Sequence, residues 1–241
     1  MQAFILAAGL GTRLSPLTDT KPKALVEVQG IPLIKIVINA LVHQGITRII
    51  VNIHHFADIL ENYIRQNQWD AEVIISDERD MLLDTGGGLK RAEPFFLPHE
   101  PILIHNVDIL AHINYADLIR QHIDSMNLAT LVVSHRNTSR QLLFDTHQQL
   151  AGWQNLTTGE TKWTHQPIES YTQKAFSGIA VVQPQILKML PPATHPYPMI
   201  PVYLDLAKNH RIKYFEHSPA DWIDVGKPET LQRAQNWNLN L

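Results

Sequence analysis

The sequence predicts an α/β fold in which a mainly parallel sheet is flanked by helices. Three observations favour this class. Apolar runs of strand length alternate with amphipathic segments of helical length through the first 140 residues, which is the pattern of βαβ units. Turns containing glycine or polar residues follow several of these runs. A length of 241 residues and a hydrophobic content of 44% suit one domain with a substantial core.

Each element of the first half follows from a local pattern. Aliphatic and β-branched runs predict strands at residues 3–8, 48–53, 72–75, 101–104 and 129–134. Apolar residues at helical spacing predict helices at residues 33–44, 57–66 and 115–124. Gly45 is expected to end the first of these helices.

The pattern changes after residue 140. Short runs and turns up to residue 182 predict a small β-rich lobe, and the last elements are expected to be helices at 200–209 and 229–237 and a strand at 211–216. The stretch 191–198 holds four prolines and predicts a stiff surface connection. We therefore expect one domain of residues 1–241, divided into a main part at 1–140, the lobe at 141–225 and a C-terminal helix at 226–241.

Composition excludes several classes of function. The formal net charge of -3 gives no reason to expect a nucleic acid or an anionic membrane as a partner. The absence of cysteine excludes disulfides, thiolate metal sites and cysteine nucleophiles, and it suits a cytoplasmic location. No apolar run approaches the roughly 20 residues of a membrane span. The first ten residues lack the basic start of a signal peptide and are expected to form the first strand.

The turn after this first strand has the composition of a phosphate-binding loop. Gly9 and Gly11 let the backbone pass close to a ligand, and the N–H groups of such a turn can converge on an anion. Arg13 offers a planar fork of donors for phosphate oxygens, and Lys23 offers a compact charge. The Gly-Lys-Ser/Thr run of a P-loop is absent, and Leu14 holds the place of the third glycine of a dinucleotide-binding loop. A plain tight turn is the alternative interpretation.

Two aspartates are candidates for holding a cation. Asp108 ends an apolar run, and ligands of open α/β sheets bind at the carboxyl ends of the strands. Its carboxylate is therefore well placed to hold a hard cation through oxygen. Asp224 closes a second short apolar run before Gly226. Both aspartates also suit turns before a loop, which is the alternative interpretation.

Glycines mark two further candidate binding segments. The run Asp-Thr-Gly-Gly-Gly at 84–88 is predicted to be a loop before a helix, and it would allow the backbone to approach a flat ligand closely. A flexible connection is the alternative. Gly178 keeps space beside its strand or marks a bulge.

The 13 histidines show no metal-binding spacing. His54 and His55 follow the end of a predicted strand and stay open as substrate contacts, as do Glu78 and Lys174.

Residues 6–23, with both glycines, Arg13 and the Lys-Pro-Lys run in matching positions, resemble the signature of the sugar-1-phosphate nucleotidyltransferases. The segments around Asp108 and Asp224 resemble the two metal-bearing aspartates of that family, in the same order and separation. The resemblance covers the chain from residue 1 to about residue 237. It implies a Rossmann-like nucleotide-diphospho-sugar transferase fold, with a nucleotide-binding part at 1–140 and a sugar-binding lobe at 141–225.

The same resemblance implies a reaction and a set of roles. A nucleoside triphosphate and a sugar 1-phosphate would react with Mg²⁺ to give a nucleotide sugar and pyrophosphate. Arg13, Lys23, Asp108 and Asp224 would be catalytic, and both aspartates would hold the metal. The implied nucleotide-binding residues are Ala7, Ala8, Gly9, Gly11, Thr12, Arg13, Lys23, Thr85, Gly86, Gly87 and Asn106. The implied sugar-binding residues are Ser177 and Gly178.

The chain departs from the family at two places that bear on substrate choice. The family's Glu-Lys-Pro sugar motif is absent from the region of residues 159–163, and Val107 replaces the usual glycine before Asp108. The glycine-rich loop and the missing motif look most like the N-acetylmuramic acid 1-phosphate uridylyltransferases of cell-wall recycling, which would use UTP. Mannose-1-phosphate and heptose-1-phosphate guanylyltransferases, which would use GTP, come next.

Two other classes of protein stay open at this point. A non-catalytic subunit that senses nucleotide sugars should have lost at least one of the four charged residues, and all four are present. A nicotinamide-dependent oxidoreductase is disfavoured because the third glycine is missing. A monomer and a homodimer both fit the sequence.

Overall fold

The structure of the chain, a computed structural model, describes residues 1–239. Its strands are β1 (Gln2–Leu6), β2 (Glu27–Val28), β3 (Ile31–Pro32), β4 (Arg48–Ile53), β5 (Glu72–Asp77), β6 (Ile102–Asn106), β7 (Ile109–Ala111), β8 (Ala129–Ser134), β9 (Arg140–Phe144), β10 (Leu150–Asn155), β11 (Thr161–Trp163), β12 (Thr172–Val182), β13 (Ile212–Glu216) and β14 (Trp222–Asp224). Its α-helices are α1 (Leu33–His43), α2 (Ala57–Gln66), α3 (Asp84–Arg91), α4 (Tyr115–Asp124), α5 (Met199–Leu206) and α6 (Pro228–Ala234). The last two residues of the predicted C-terminal segment 226–241 lie outside the described residues.

A ten-stranded sheet runs through the molecule in the order β11-β10-β9-β12-β6-β1-β4-β5, with β8 joined to β12 and β13 joined to β8. The strands β6, β1, β4 and β5 are parallel neighbours, so their carboxyl ends meet at one edge. Helices follow these strands, as the alternating pattern predicts. The predicted α/β class is confirmed.

The strands of the predicted lobe continue this sheet instead of forming a separate one. β9 pairs antiparallel with β12 and with β10, and β10 pairs with β11. The long strand β12 pairs with β9 at its start and with β6 at its end. Between these two parts its register against β8 shifts at Ser177 and Gly178, where Gly178 has a φ of 75°. β12 therefore carries a bulge at the point where the sheet passes from its parallel half to its antiparallel half.

Alternate side chains of the central strands enter two different apolar clusters. Ala3 and Ile5 of β1 lie in a cluster that includes Ile34 and Ile38 of α1. Phe4, between them, lies in the opposite cluster with residues of α3 and α5. This is the pattern of a sheet that is covered on both faces. It leaves the carboxyl ends of the strands open for polar residues.

The glycine-rich segment 84–88 is not the predicted loop, because it lies inside the helix α3. A Cβ on Gly86 would stand 2.5 Å from the ring of Tyr197, and one on Gly88 would stand 2.7 Å from Oε1 of Glu78. Because these positions lack side chains, α3 can pack against Tyr197 and Glu78, where a larger residue would clash. Packing therefore overrides their low helix propensity.

The proline-rich stretch 191–198 is also more than the predicted surface connection. Tyr197 is buried, its N–H donates to the Leu83 carbonyl at 3.1 Å, and its hydroxyl donates to the Pro191 carbonyl at 2.8 Å. The stretch therefore covers the start of α3. Among the described residues, no helix has both the length and the apolar character that crossing a bilayer requires.

Candidate active site

A cavity of about 600 Å³ opens at the carboxyl ends of β1, β4 and β6, a size that suits a small-molecule ligand. Seven predicted nucleotide-binding residues belong to its wall, namely Ala7, Ala8, Gly9, Arg13, Lys23, Thr85 and Asn106. Asn52, Glu78 and Asp108 also line it. The first strand, the turn that follows it and the end of β6 therefore meet around one space.

Four predicted nucleotide-binding residues lie outside this wall. Gly11 and Thr12 form the turn behind it, where a Cβ on Gly11 would stand 3.1 Å from the Cβ of Lys23. The N–H groups of Gly86 and Gly87 donate to the Tyr197 carbonyl at 2.9 and 3.3 Å. These amides therefore already have a partner inside the protein, in the packing of α3 against Tyr197.

The predicted catalytic residues lie close together, three of them in the wall of this cavity and Asp224 beside them. The ammonium of Lys23 donates a hydrogen bond to Oδ2 of Asp108, and both side chains are nearly buried. A Cβ on Gly226 would stand 2.7 Å from an Arg13 guanidinium nitrogen, 2.7 Å from Oδ1 of Asp224 and 3.1 Å from Oδ2 of Asp108. Two carboxylates and the Arg13 guanidinium thus surround one point, which only a glycine leaves free.

A two-stranded ribbon brings the aspartates together. Asp108 directly precedes β7, which pairs antiparallel with β14, so that Asp224 lies in register with Ile109. The N–H of Val225 donates to the Asp108 carbonyl at 2.8 Å. Residues separated by more than a hundred positions are therefore fixed relative to each other by backbone hydrogen bonds.

Burial raises the pKa of Asp224, and the neighbouring Asp108 carboxylate raises it further. The Gly226 N–H, which donates to Oδ1 at 2.7 Å, and the charges of Lys23 and Arg13 act in the opposite direction. The two carboxylates are therefore close enough to repel each other, and the two cations offset part of this repulsion.

A second cavity, of about 310 Å³, adjoins the first at Asn106, which lines both. Asp224 lies in the wall of the second cavity and Asp108 in the wall of the first. Both predicted sugar-binding residues, Ser177 and Gly178, line the second cavity. The two carboxylates are therefore at the boundary between two spaces, both within the size range of small-molecule sites.

Glu78, which the sequence left open as a substrate contact, forms a buried polar pair with Asn52 in the first cavity, a contact that sequence reasoning did not foresee. Oδ1 of Asn52 accepts from the N–H groups of Ala7 and Ala8 at 2.6 and 3.2 Å, and its amide donates to Oε1 of Glu78 at 2.8 Å. Burial raises the pKa of Glu78, although the bonds from Asn52 and the Leu83 N–H oppose this. The only sequence signal was that Asn52 and Glu78 stand near the ends of β4 and β5.

The other residues that the sequence left open have partners inside the protein. His54 is bonded through Nδ1 to the Glu78 carbonyl at 2.7 Å, and His55 packs against the ring of Phe56. Lys174 is buried and bonds to Glu216 at 2.7 Å. Neither cavity has these three side chains in its wall.

Comparison with known proteins identifies the family of the chain. A model of the nucleotidyl transferase family matches residues 2–142. N-acetylmuramate alpha-1-phosphate uridylyltransferase of Caulobacter vibrioides is 30% identical over 239 residues, which cover 97% of this chain and 95% of that protein. Mannose-1-phosphate guanyltransferase of Gibberella zeae is 28% identical over 95% of this chain, which spans 62% of that longer protein.

A solved structure shares the fold. The crystal structure of HddC from Yersinia pseudotuberculosis matches with a TM-score of 0.76 and 23% identity, and the match covers 97% of each chain. Together with the family match over more than half of the sequence, this leads to one conclusion. The chain belongs to the nucleotidyl transferase family, as a sugar-1-phosphate nucleotidyltransferase.

Proposed function

We propose that this enzyme transfers a uridylyl group from UTP to N-acetylmuramic acid 1-phosphate and releases pyrophosphate. The relative with that activity matches this chain over 95% of its own length, whereas the guanyltransferase extends well beyond the match. The observation that carries the proposal is the pair of cavities that meet at Asn106 with one aspartate in each. The first would hold the triphosphate and the second the sugar phosphate.

The donor set at this boundary fits Mg²⁺. Mg²⁺ is usually held by one or two carboxylates together with substrate phosphates, and Asp108 and Asp224 supply such a pair. Among residues 1–239, no group of three or more histidine, aspartate or glutamate side chains is arranged as a metal site made by the protein alone. When bound, the ion would neutralise charge on the phosphate oxygens.

The chemistry needs few protein groups. A sugar phosphate carries about 1.5 to 2 negative charges at neutral pH, so its oxygen attacks the α-phosphorus without a general base. A new phosphorus–oxygen bond forms, the bond to the β-phosphate breaks, and pyrophosphate leaves. The barrier is the approach of two anions, which positioning and positive charge lower.

We assign these two tasks to two cations. Arg13 and the amides of the preceding glycine turn would hold the leaving pyrophosphate, since the guanidinium fork suits phosphate oxygens. Lys23 would stabilise charge at the α-phosphate, because Asp108 holds its ammonium in the wall of the first cavity. Bound substrate would share this ammonium with Asp108.

The decisive test is a screen of pyrophosphate release with Mg²⁺. UTP, GTP, CTP, ATP and dTTP are each combined with the 1-phosphates of N-acetylmuramic acid, N-acetylglucosamine, mannose and glucose. We expect the highest kcat/KM with UTP and N-acetylmuramic acid 1-phosphate. Absence of release with every pair would contradict the reaction class, and a different best pair would contradict the substrate assignment.

A second candidate, guanylyl transfer to mannose 1-phosphate, is favoured by one observation. The mannose-1-phosphate guanyltransferase of Gibberella zeae is 28% identical over 95% of this chain. In the same screen, this candidate predicts GTP above UTP.

A further inference from the structure

Two arginines, Arg136 and Arg140, line the second cavity, and Asp224 is the acidic residue in its wall. Aromatic side chains of the same wall, among them Trp153 and Trp222, suit the apolar face of a sugar ring. The Glu-Lys-Pro sugar motif of the family is absent from the sequence, so this cavity has neither its glutamate nor its lysine. The recognition of its ligand must therefore rest on other residues.

Arg136 is fixed beside the reaction centre. Its guanidinium stacks over the ring of Trp222 at 3.5 Å and donates to the Phe176 carbonyl at 2.6 Å. Trp222 is itself anchored, because its indole N–H donates to the Ser177 carbonyl at 2.8 Å. Since Trp222 and Asp224 lie on the same short strand, β14, Arg136 packs against the strand that carries Asp224.

Arg140 occupies a different place in the wall. It begins β9, where its backbone pairs in register with Asn155, and its side chain is exposed. Within the part of the chain that the structure describes, no acidic side chain forms an ion pair with it. Another cation at this end of the sheet, Lys162, already pairs with Glu160 at 3.2 Å. Arg140 thus presents an uncompensated guanidinium to the cavity.

We propose that Arg140 binds a carboxylate on the sugar, so that the acceptor is a sugar 1-phosphate with a second acidic group. A planar guanidinium binds a carboxylate through two parallel hydrogen bonds, which gives geometric selectivity as well as charge. The proposal rests on the proposed function, in which the lactyl ether of N-acetylmuramic acid supplies this carboxylate. Arg140 would then be the residue that selects an acidic sugar over a neutral one.

The test combines two protein forms with two substrates. Wild type and Arg140→Gln are each assayed with N-acetylmuramic acid 1-phosphate and with the same compound in which the lactyl carboxylate is a carboxamide. We expect Arg140→Gln to lower kcat/KM for the carboxylate substrate by about 10- to 100-fold, mainly through KM. The loss with the carboxamide should stay below about threefold, and Arg140→Lys should recover part of the activity.

Arg120→Gln is the matched control, because Arg120 is an exposed arginine on α4 that pairs with Asp117 away from both cavities. Equal losses with the two substrates, or a wild type that does not distinguish them, would overturn the proposal while leaving nucleotidyl transfer intact. If no nucleotide and sugar pair reacts, the proposed function has failed. Calorimetric binding of the two sugar phosphates to wild type and Arg140→Gln then decides the role of Arg140 independently of turnover.

Discussion

The residue that ties the first cavity to the pair of aspartates is Lys23, whose ammonium is bonded to Asp108 with little access to solvent. We predict that Lys23→Ala and Asp108→Asn each lower kcat by about 1,000-fold, because a preorganised charge at the reacting phosphate is lost. Pyrophosphate release measures the effect, and circular dichroism should show the same fold. Lys21→Ala, which removes a cation two positions away, is the control. Near-normal turnover of either variant would refute the assigned roles.

The carboxylate pair leads to a second prediction at this scale. Removal of Mg²⁺ with EDTA should abolish turnover, and added Mg²⁺ should restore it. Asp224→Asn should raise the Mg²⁺ concentration for half-maximal rate by about 10-fold or more, since one charged oxygen ligand is lost. A titration of rate against Mg²⁺ measures this shift. An unchanged midpoint would show that Asp224 does not hold the ion.

Sequence reasoning identified single residues where a local pattern marked them. Arg13 and Lys23 follow one predicted strand, and Asp108 ends another. Because ligands of open α/β sheets bind at the carboxyl ends of the strands, all three could be identified from the sequence. Asn52 and Glu78 were missed as a pair because they come from two different strands and meet only through tertiary hydrogen bonds. The arginines of the second cavity were missed for the same reason.

At the scale of elements, α3 shows how packing overrides propensity. Alanine ordinarily stabilises a helix interior relative to glycine by about 1 kcal/mol. We predict that Gly86→Ala instead destabilises the protein by about 1–3 kcal/mol, because its Cβ would overlap the Tyr197 ring. Urea unfolding measures the change in free energy.

A double-mutant cycle separates this clash from other effects. In a Tyr197→Ala background, which removes the ring, Gly86→Ala should cost much less than in the wild type. Equal costs in both backgrounds would show that Tyr197 is not the cause. Sequence patterns alone could not foresee this helix, since three consecutive glycines favour a loop until the covering tyrosine is known.

At the scale of the whole molecule, two buried histidines make stability depend on pH. Burial lowers the pKa of His105 and of His122 to about 4 in the folded protein, from about 6.5 in the unfolded chain. Between these values the unfolded chain binds more protons, so stability is lost as the pH falls below about 6.5. We predict a loss of about 1–2 kcal/mol per histidine between pH 7 and pH 5, measured by urea unfolding.

The contribution of one histidine can be isolated. His122 is bonded to Thr130 and Gln183, and His122→Asn should reduce the change in stability between the two pH values. His99→Asn, at an exposed position, is the control. An unchanged pH dependence in His122→Asn would contradict the assignment.

The architecture was predicted well where it is built from local repeats. Most strands and helices of the parallel half lie within a few residues of their predicted positions, because each strand is a short apolar run and each helix has an apolar stripe that can be read locally. The long strand β12 was predicted only as part of a run of short strands, since its bulge at Gly178 and its change of partner depend on strands far away in the chain.

The ribbon of β7 and β14 has a consequence for the order in which the site is made. The residues that line the first cavity up to Asp108 are synthesised in the first half of the chain, whereas Asp224 emerges from the ribosome more than a hundred residues later. A nascent chain that ends before residue 224 has the carboxylate beside Lys23 and lacks the second one. Translation therefore sets the earliest moment at which the two carboxylates can meet.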